Sequence, residues 1–498
     1  MNTPDWISRS VSRLLPASNS RQIEGDTQDD TAQAAIKPGA TAAKSVERSA
    51  TAGRSTHARL QATLRQDDEA LSPRLLRRCL QELQAIIDPR VSEVEGGRRA
   101  MEAAAWYAAA APEKRRDMWL LMSEQFVADA QKAKDAQARF AAAVGTPDEA
   151  VAEVHYRRAT VSPRRRLLQR FSAYPQGVQF LVDLRAEMLP FLKGDKRLMA
   201  LDVELEYMFS TWFDVGFLDL RRISWDSPAS LIEKLIQYEA VHDIKSWADV
   251  KNRLDSDRRC YGFFHPRLPG VPLIFVEVAL VDEMAGDIMP LLDELAAAAD
   301  LSKATSAIFY SISNTQPGLR GVSFGDSLIK RVVETLKDEF PKLKVFATLS
   351  PIPGFRSWLG KNAAAVLEKL ADKERAALGR AIGPDALTST SFLAAAEGAL
   401  DLSEKSPVRL TLLKCAAHYL GQLLKEGKPV DPVARFHLGN GARIERINWA
   451  ADPSPKGLKQ SYGLMVNYLY DLKRLDKHRA LLAQGKVPVS TGIQDLYI

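Results

Sequence analysis

"SISNTQPGLRGVSFGDSLIKRV", residues 311–332, changes texture twice. It opens in the pattern of a strand that ends near Asn314, continues through a connection holding Gly318, Gly321 and Gly325, and enters a helix near Asp326. Read on as FGDSLIKRVVETLKDEF, the helical part brings Phe324, Leu328, Val332, Leu336 and Phe340 round every four residues, the spacing of one apolar face. Glycines let a backbone approach a ligand closely, and a helix N-terminus offers free N–H groups at the positive end of its dipole. Together they predict a cradle for a pyrophosphate, with Lys330 and Arg331 one turn in to add charge. The spacing is neither G-x-x-x-x-G-K-[ST] nor G-x-G-x-x-G, so on spacing alone an ordinary strand-to-helix connection is an equal reading.

Further strands are expected at Gly270–Leu280, Thr305–Asn314, Lys342–Ser350 and Gly441–Trp449, all β-rich runs bounded by turn residues. Strands alternating with amphipathic helices predict a sheet packed against the helix described above. Before about residue 205 the texture is different. Ser72 can cap and Pro73 can open a helix on which Leu75, Leu76, Cys79, Leu80, Leu83 and Ile87 share a face. Alanine-rich stretches follow, punctuated by Pro112, Gly145-Thr146-Pro147 and Ser162-Pro163. Residues 1–68 are too polar to bury a core and read as a mobile tail, 69–204 as an all-helical domain, and 205–498 as the sheet-bearing domain. The run Arg164-Arg165-Arg166 reads as a solvated helix face rather than a nucleic-acid contact.

Bulk properties narrow the function. The 498 residues are 46% hydrophobic and 26% charged, with a formal charge of +6, a soluble globular composition that serves a polyphosphate-bearing small ligand as well as any larger anion. No apolar run is long enough for a membrane span. Cys79, Cys260 and Cys415 match no metal or redox spacing and read as reduced thiols, so a cytoplasmic location is expected.

A second stretch, VFATLSPIPGFRSWL from Val345 to Leu359, presents one serine on stiff backbone. Ser350 precedes Pro351, which steers it to extended geometry. Pro353 stiffens the exit and Gly354 permits a sharp turn. By itself this is a turn serine. Likewise, His437 between Phe436 and Leu438 reads by itself as a packed core residue.

Resemblance changes both readings. Gln316-Pro317-Gly318-Leu319-Arg320-Gly321, after a strand and before a helix, resembles the CoA-pyrophosphate loop of the acetyl-CoA-dependent N-acetyltransferase superfamily. The longer text is more specific: FYSIS, TQ, GL, GV and LIKRVV, then LSPIPGF, then PVA, FHL, NGA and RINW, resembles the malonyl-CoA decarboxylase family from roughly 205 to about 470. That resemblance implies an α+β chain, with an N-terminal all-helical domain followed by an acetyltransferase-like mixed-sheet domain flanked by helices. It implies malonyl-CoA as substrate, acetyl-CoA and carbon dioxide as products, and a homo-oligomer, a tetramer assembled partly through the helical domain. It makes Ser350 and His437 the catalytic pair: Ser350 positions the acyl group, and His437, with a near-neutral intrinsic pKa, protonates the enolate. Arg320, Gly321, Val322, Ser323, Phe324, Gly325 and Asp326 become the substrate-binding turn, although Ser323 stands where relatives can carry a carboxylate.

The chemistry requires no metal and no separate cofactor, since CoA enters with the substrate. Asn440, Asn448 and Tyr468 are supporting candidates, and His265 is the one other histidine to test. Two other classes fit less of the text. An acyl-CoA-dependent N-acyltransferase accounts for Gln316–Gly321 but not for the serine and histidine, and a non-enzymatic acyl-CoA-binding protein has no use for either.

Overall fold

The computed structural model describes residues 56–61, 70–322, 328–383 and 387–498. A helical half comes first and a mixed sheet flanked by helices second. The Pro73–Ile86 helix starts as its sequence dictates, with Ser72 as N-cap and Pro73 in the first turn. Leu76, Leu83 and Ile86 turn inward, whereas Leu75, expected on the same face, is 49% exposed. Most of the expected tail lies outside the described residues. Its segment Thr56–Gln61 is a correction: it forms a helix, held down by an Arg59–Asp117 ion pair at 2.7 Å. No helix among the described residues is long and apolar enough to cross a membrane.

The arginine run also departs from expectation. Arg164 is buried, and its guanidinium donates to the carbonyls of Met122 and Ser123 at the C-terminal end of the Pro112–Glu124 helix and to Ala200. A helix end leaves carbonyls without intrahelical partners, and a fixed fork of donors satisfies several at once. Arg165 pairs with Glu204 at 2.7 Å.

The strands are β1 (Asp219–Ile223), β2 (Arg258–Phe264), β3 (Pro272–Val281), β4 (Ser306–Asn314), β5 (Val345–Thr348), β6 (Ser350–Pro351), a small hairpin of β7 (Leu424–Lys425) and β8 (Lys428–Pro429), β9 (Arg443–Asn448) and β10 (Met465–Leu469). Apart from the hairpin they form one sheet in the order β1-β2-β3-β4-β5-β10-β6, with β9 also on β10. Four match the expected β-rich runs; β1, β2 and β10 were not anticipated. The central strands are apolar without alternation because both faces are covered. One face carries Ile274, Val276, Val278 and Phe309 against the Leu328–Glu339 helix and the helical half, in a single continuous core. The other carries Phe275 beneath the Ala229–Tyr238 helix and Ala279, Ile308 and Ala347 in a separate cluster.

Two irregularities at the centre of this sheet shape everything downstream. Strands β4 and β5 run parallel only from Ser306–Val345 to Phe309–Thr348 and then part. At the same place β4 carries a bulge, because Glu277 pairs with Ser311 while Val278 pairs with Phe309, leaving Tyr310 the extra residue. The single strand expected over 342–350 is interrupted at Leu349, whose N–H donates to the Phe309 carbonyl. Both β5 and β6 nonetheless keep one register on β10, with Ala347 opposite Leu469 and Ser350 opposite Val466.

Candidate active site

Ser350 stands where the sheet opens. Its Oγ lies 2.9 Å from Thr348 Oγ1 and 3.3 Å from His437 Nε2. The serine is 5% exposed and the histidine 3%. Extended geometry before Pro351 is as the sequence implies. Gly354 is not: its backbone is ordinary right-handed at the start of the Phe355–Lys369 helix. A side chain there would collide with the Tyr419 hydroxyl, so space rather than turn conformation requires the glycine.

His437 sits in the last turn of the short Pro432–Gly439 helix. Asp431 caps it, accepting from Val433 N–H and Ala434 N–H at 2.9 Å each, and Pro432 occupies the first turn. The imidazole is stacked on Tyr468, with ring centroids 4.7 Å apart. On its other side, Nδ1 lies 2.7 Å from the Tyr470 hydroxyl. Burial pushes the His437 pKa down to about 3 and the Tyr470 hydroxyl well up. At cellular pH the resting ring is therefore neutral, which corrects the expectation of a near-neutral titration. Proton accounting then selects its tautomer. Ser350 Oγ–H donates to Thr348 Oγ1, Tyr470 O–H donates to Nδ1, and His437 keeps its one proton on Nε2, facing Ser350.

Both side chains line one cavity of about 420 Å³ in the gap between the parted strands. Phe309, Tyr310, Ile312 and Asn314 of β4 form one wall, with Ser350 and Pro351 opposite. The His437 helix closes a third side. Val322 also reaches this cavity, which brings the last described residue of the predicted turn to the serine and the histidine.

The rest of the turn is more specific than its glycines implied. Gly321 adopts φ +88°, a conformation that favours glycine. Gly318 is needed for a different reason from ligand approach, since a side chain there would collide with the Val182 carbonyl of the Gly177–Met188 helix. From that helix Arg185, fully buried, donates to the carbonyls of Gly318 and Arg320 at 2.8 Å each and pairs with Asp202 at 2.7 Å. Ser323, Phe324, Gly325 and Asp326 lie outside the described residues. Arg331 donates to the Leu218 carbonyl and lies over Phe263, and Lys330 faces Glu334 at 3.8 Å.

Of the supporting candidates, Asn440 lines the cavity and Tyr468 supports the imidazole, while Asn448 pairs with Asn467 at 2.8 Å. His265 accepts from its own turn at Arg267 N–H and packs on Phe213. Tyr470, Tyr310 and Val241 are functional candidates that sequence reading passed over. Tyr470 was within reach, because it follows Tyr468 at the two-residue period of one strand face. No group of three or more His, Cys, Asp or Glu side chains that could hold a metal ion occurs among the described residues.

Comparison with known proteins shows the family. The malonyl-CoA decarboxylase C-terminal domain model matches residues 216–497 and the corresponding N-terminal domain model matches 126–213. Malonyl-CoA decarboxylase, mitochondrial, of Mus musculus is 39% identical over 340 residues, 65% of this chain and 68% of the mouse protein. Among solved structures, malonyl-CoA decarboxylase from Rhodopseudomonas palustris superposes with a TM-score of 0.74 at 38% identity, covering 84% of this chain and 99% of that one. The enzyme from Cupriavidus metallidurans gives 0.69 at 44% identity, covering 85% and 100%.

The neutral imidazole is open to direct measurement. In ¹⁵N-histidine spectra of the full chain, His437 should remain the Nε2–H tautomer from pH 8 down to about 5, gaining a proton only towards its depressed pKa of about 3. A midpoint near the ordinary histidine value would contradict the burial argument.

Proposed function

The chain belongs to the malonyl-CoA decarboxylase family and converts malonyl-CoA to acetyl-CoA and carbon dioxide; from that premise we propose that Ser350 and His437 carry out the conversion. The observation behind this reading is the approach of Ser350 Oγ and His437 Nε2 at 3.3 Å inside a cavity that Val322 also lines. Decarboxylation breaks the bond between the α-carbon and the carboxylate. The electron pair stays on the α-carbon and is delocalised into the thioester, and one proton must then be added there.

Ser350 holds the acyl group with its carboxylate out of the thioester plane. Donors in the gap between the strands stabilise the charge that develops on the thioester oxygen. His437 supplies the proton from Nε2. Its depressed affinity for a proton is compatible with this role, because a malonyl carboxylate beside the ring supplies an opposite charge that offsets the lost hydration. The ring thus takes up a proton from solvent as the carboxylate binds, passes one to the α-carbon, and is left neutral. Arg320–Asp326 forms the CoA-binding turn in this reading, supported by the positive φ of Gly321 and the clamp from Arg185. No metal or separate cofactor enters the proposal.

Two further parts of the reading concern context. The three cysteines are free, and burial pushes those of Cys79 and Cys415 up to about 12, the state of unreactive thiols in a reducing compartment. We place the chain in the cytoplasm on that ground; the mouse relative is named mitochondrial, and a tagged chain found inside an organelle would overturn the placement. The second part is a homo-oligomer, a tetramer, built partly through the helical half. It is supported by the paired helices Ala130–Ala143 and Glu149–Thr160, which leave Val144, Val151, Val154 and Val161 exposed. Single exposed apolar residues are common, but a clustered set on one hairpin marks a contact surface.

His437→Ala and Ser350→Ala should each lower kcat about 10²-fold or more with KM shifted less, measured as acetyl-CoA formed from malonyl-CoA without any amine present. Near-normal turnover in either variant would remove that residue from the mechanism. Light scattering of the full chain should report an assembly that the pair Val151→Glu and Val154→Glu breaks down, and a monomer in the unaltered protein would end the oligomer proposal.

A further inference from the structure

The cavity passes from one face of the sheet to the other. Val322 and Leu328 reach it on the side of the Leu328–Glu339 helix, the side to which Ile274 and Ile312 point. Val241 reaches it too, yet Val241 belongs to the opposite face. The segment that carries it follows the Ala229–Tyr238 helix and is tied to Ser311 and Ser313. Those serines flank Ile312 and therefore point away from it, by the alternation of a strand.

The tie is unusually complete. One carboxyl group, that of Glu239, is buried among four donors. Its Oε1 accepts from Val241 N–H and His242 N–H at 2.9 Å each. Ser311 Oγ lies 2.8 Å from each carboxyl oxygen, and Ser313 Oγ donates to Oε2 at 3.1 Å. Ala240 N–H in turn donates to Ser313 Oγ at 3.1 Å. From outside, Lys456 Nζ donates to the Ala240 carbonyl at 2.9 Å and to Asp243 at 3.0 Å. Every backbone donor from Ala240 to His242 is thereby fixed, and the Val241 side chain is held against the cavity.

Two serines on one strand and a buried carboxyl group are an expensive way to hold a loop that merely connects two helices. What the arrangement fixes is the position of two methyl groups in the cavity that holds Ser350 and His437. On the reading proposed above, CoA is bound from the Val322 side, so the acyl end lies past the gap, towards Val241. We propose that Val241, positioned by Glu239, is the wall that limits the substituent allowed on the α-carbon of the malonyl group. The α-carbon is planar once carbon dioxide has left and must take its proton from His437 on one face. A rigid wall on the far side holds that face towards the imidazole and leaves no room for a branch.

Steady-state rates of the full chain with malonyl-CoA and with methylmalonyl-CoA, its α-methyl counterpart, test this. Val241→Ala should raise the ratio of kcat/KM for methylmalonyl-CoA over malonyl-CoA about tenfold, the scale of one methyl group in an apolar pocket. Val241→Phe should depress malonyl-CoA turnover while leaving inhibition by free CoA, which has no acyl group, unchanged. Glu239→Gln, which keeps the side-chain volume, should shift the ratio in the same direction as Val241→Ala by loosening the wall. An unchanged ratio in Val241→Ala, or normal malonyl-CoA turnover in Val241→Phe, would overturn the assignment. Malonyl-CoA turnover by the unaltered chain and its loss in His437→Ala report on the catalytic reading alone, whereas the ratio reports on the wall alone.

Discussion

The parting of two parallel strands is the constraint on which the rest depends. A parallel pair satisfies its backbone groups only while it stays in register, and β4 and β5 leave register after Phe309 and Thr348. The sheet does not fall open there because β10 holds β5 and β6 in one register across the break. The gap is thus rigid on both sides: β4 is pinned by β3 and by its own bulge at Tyr310, and β6 by β10. Into it the short Pro432–Gly439 helix lowers one imidazole. The catalytic reading needs all three features, since a closed sheet would have no cavity and a loose one would not hold two side chains 3.3 Å apart.

Burial does chemical work at this site. A ring that is stacked on Tyr468 and bonded to Tyr470 loses its water, and the charged form loses most. The same desolvation that makes His437 a poor base strengthens the attraction of its protonated form for a carboxylate beside it. On the proposed reading, the site separates resting and working protonation states by substrate binding rather than by solution pH. Sequence reading assigned a near-neutral donor because it could see the residue type but not the two tyrosines that enclose it.

Much of the site was legible and much of the scaffold was not, for identifiable reasons. Ser350 and His437 were reached through the family resemblance of the text around them, because local signals alone read one as a turn serine and the other as a packed core residue. The strand at Pro272–Val281 is a long apolar run and announces itself. By contrast, Asp219–Ile223 carries two arginines and lies on the edge of the sheet, where side chains follow solvent rather than a core period. Met465–Leu469 alternates little because it is covered on both faces. Gly318 was assigned to ligand approach and Gly354 to a sharp turn, when each is required by a neighbour distant in sequence, the Val182 carbonyl and the Tyr419 hydroxyl. Arg164 was placed in solvent because a triplet of charges gives no hint of the helix end it meets. These errors share a cause: sequence exposes local preference, and tertiary packing decides which of several uses a residue serves.

Arg185 ties the helical half to the sheet-bearing half. Rooted in the Gly177–Met188 helix and paired with Asp202, it grips the carbonyl groups of Gly318 and Arg320 in the turn that leads to Val322. The helices are therefore a splint for the turn rather than an appendage to the sheet. Cutting the chain at the change of texture near residue 205 would strip two acceptors of their donor and bare the Gly318 backbone to water, so the boundary visible in composition is no place to divide the machine.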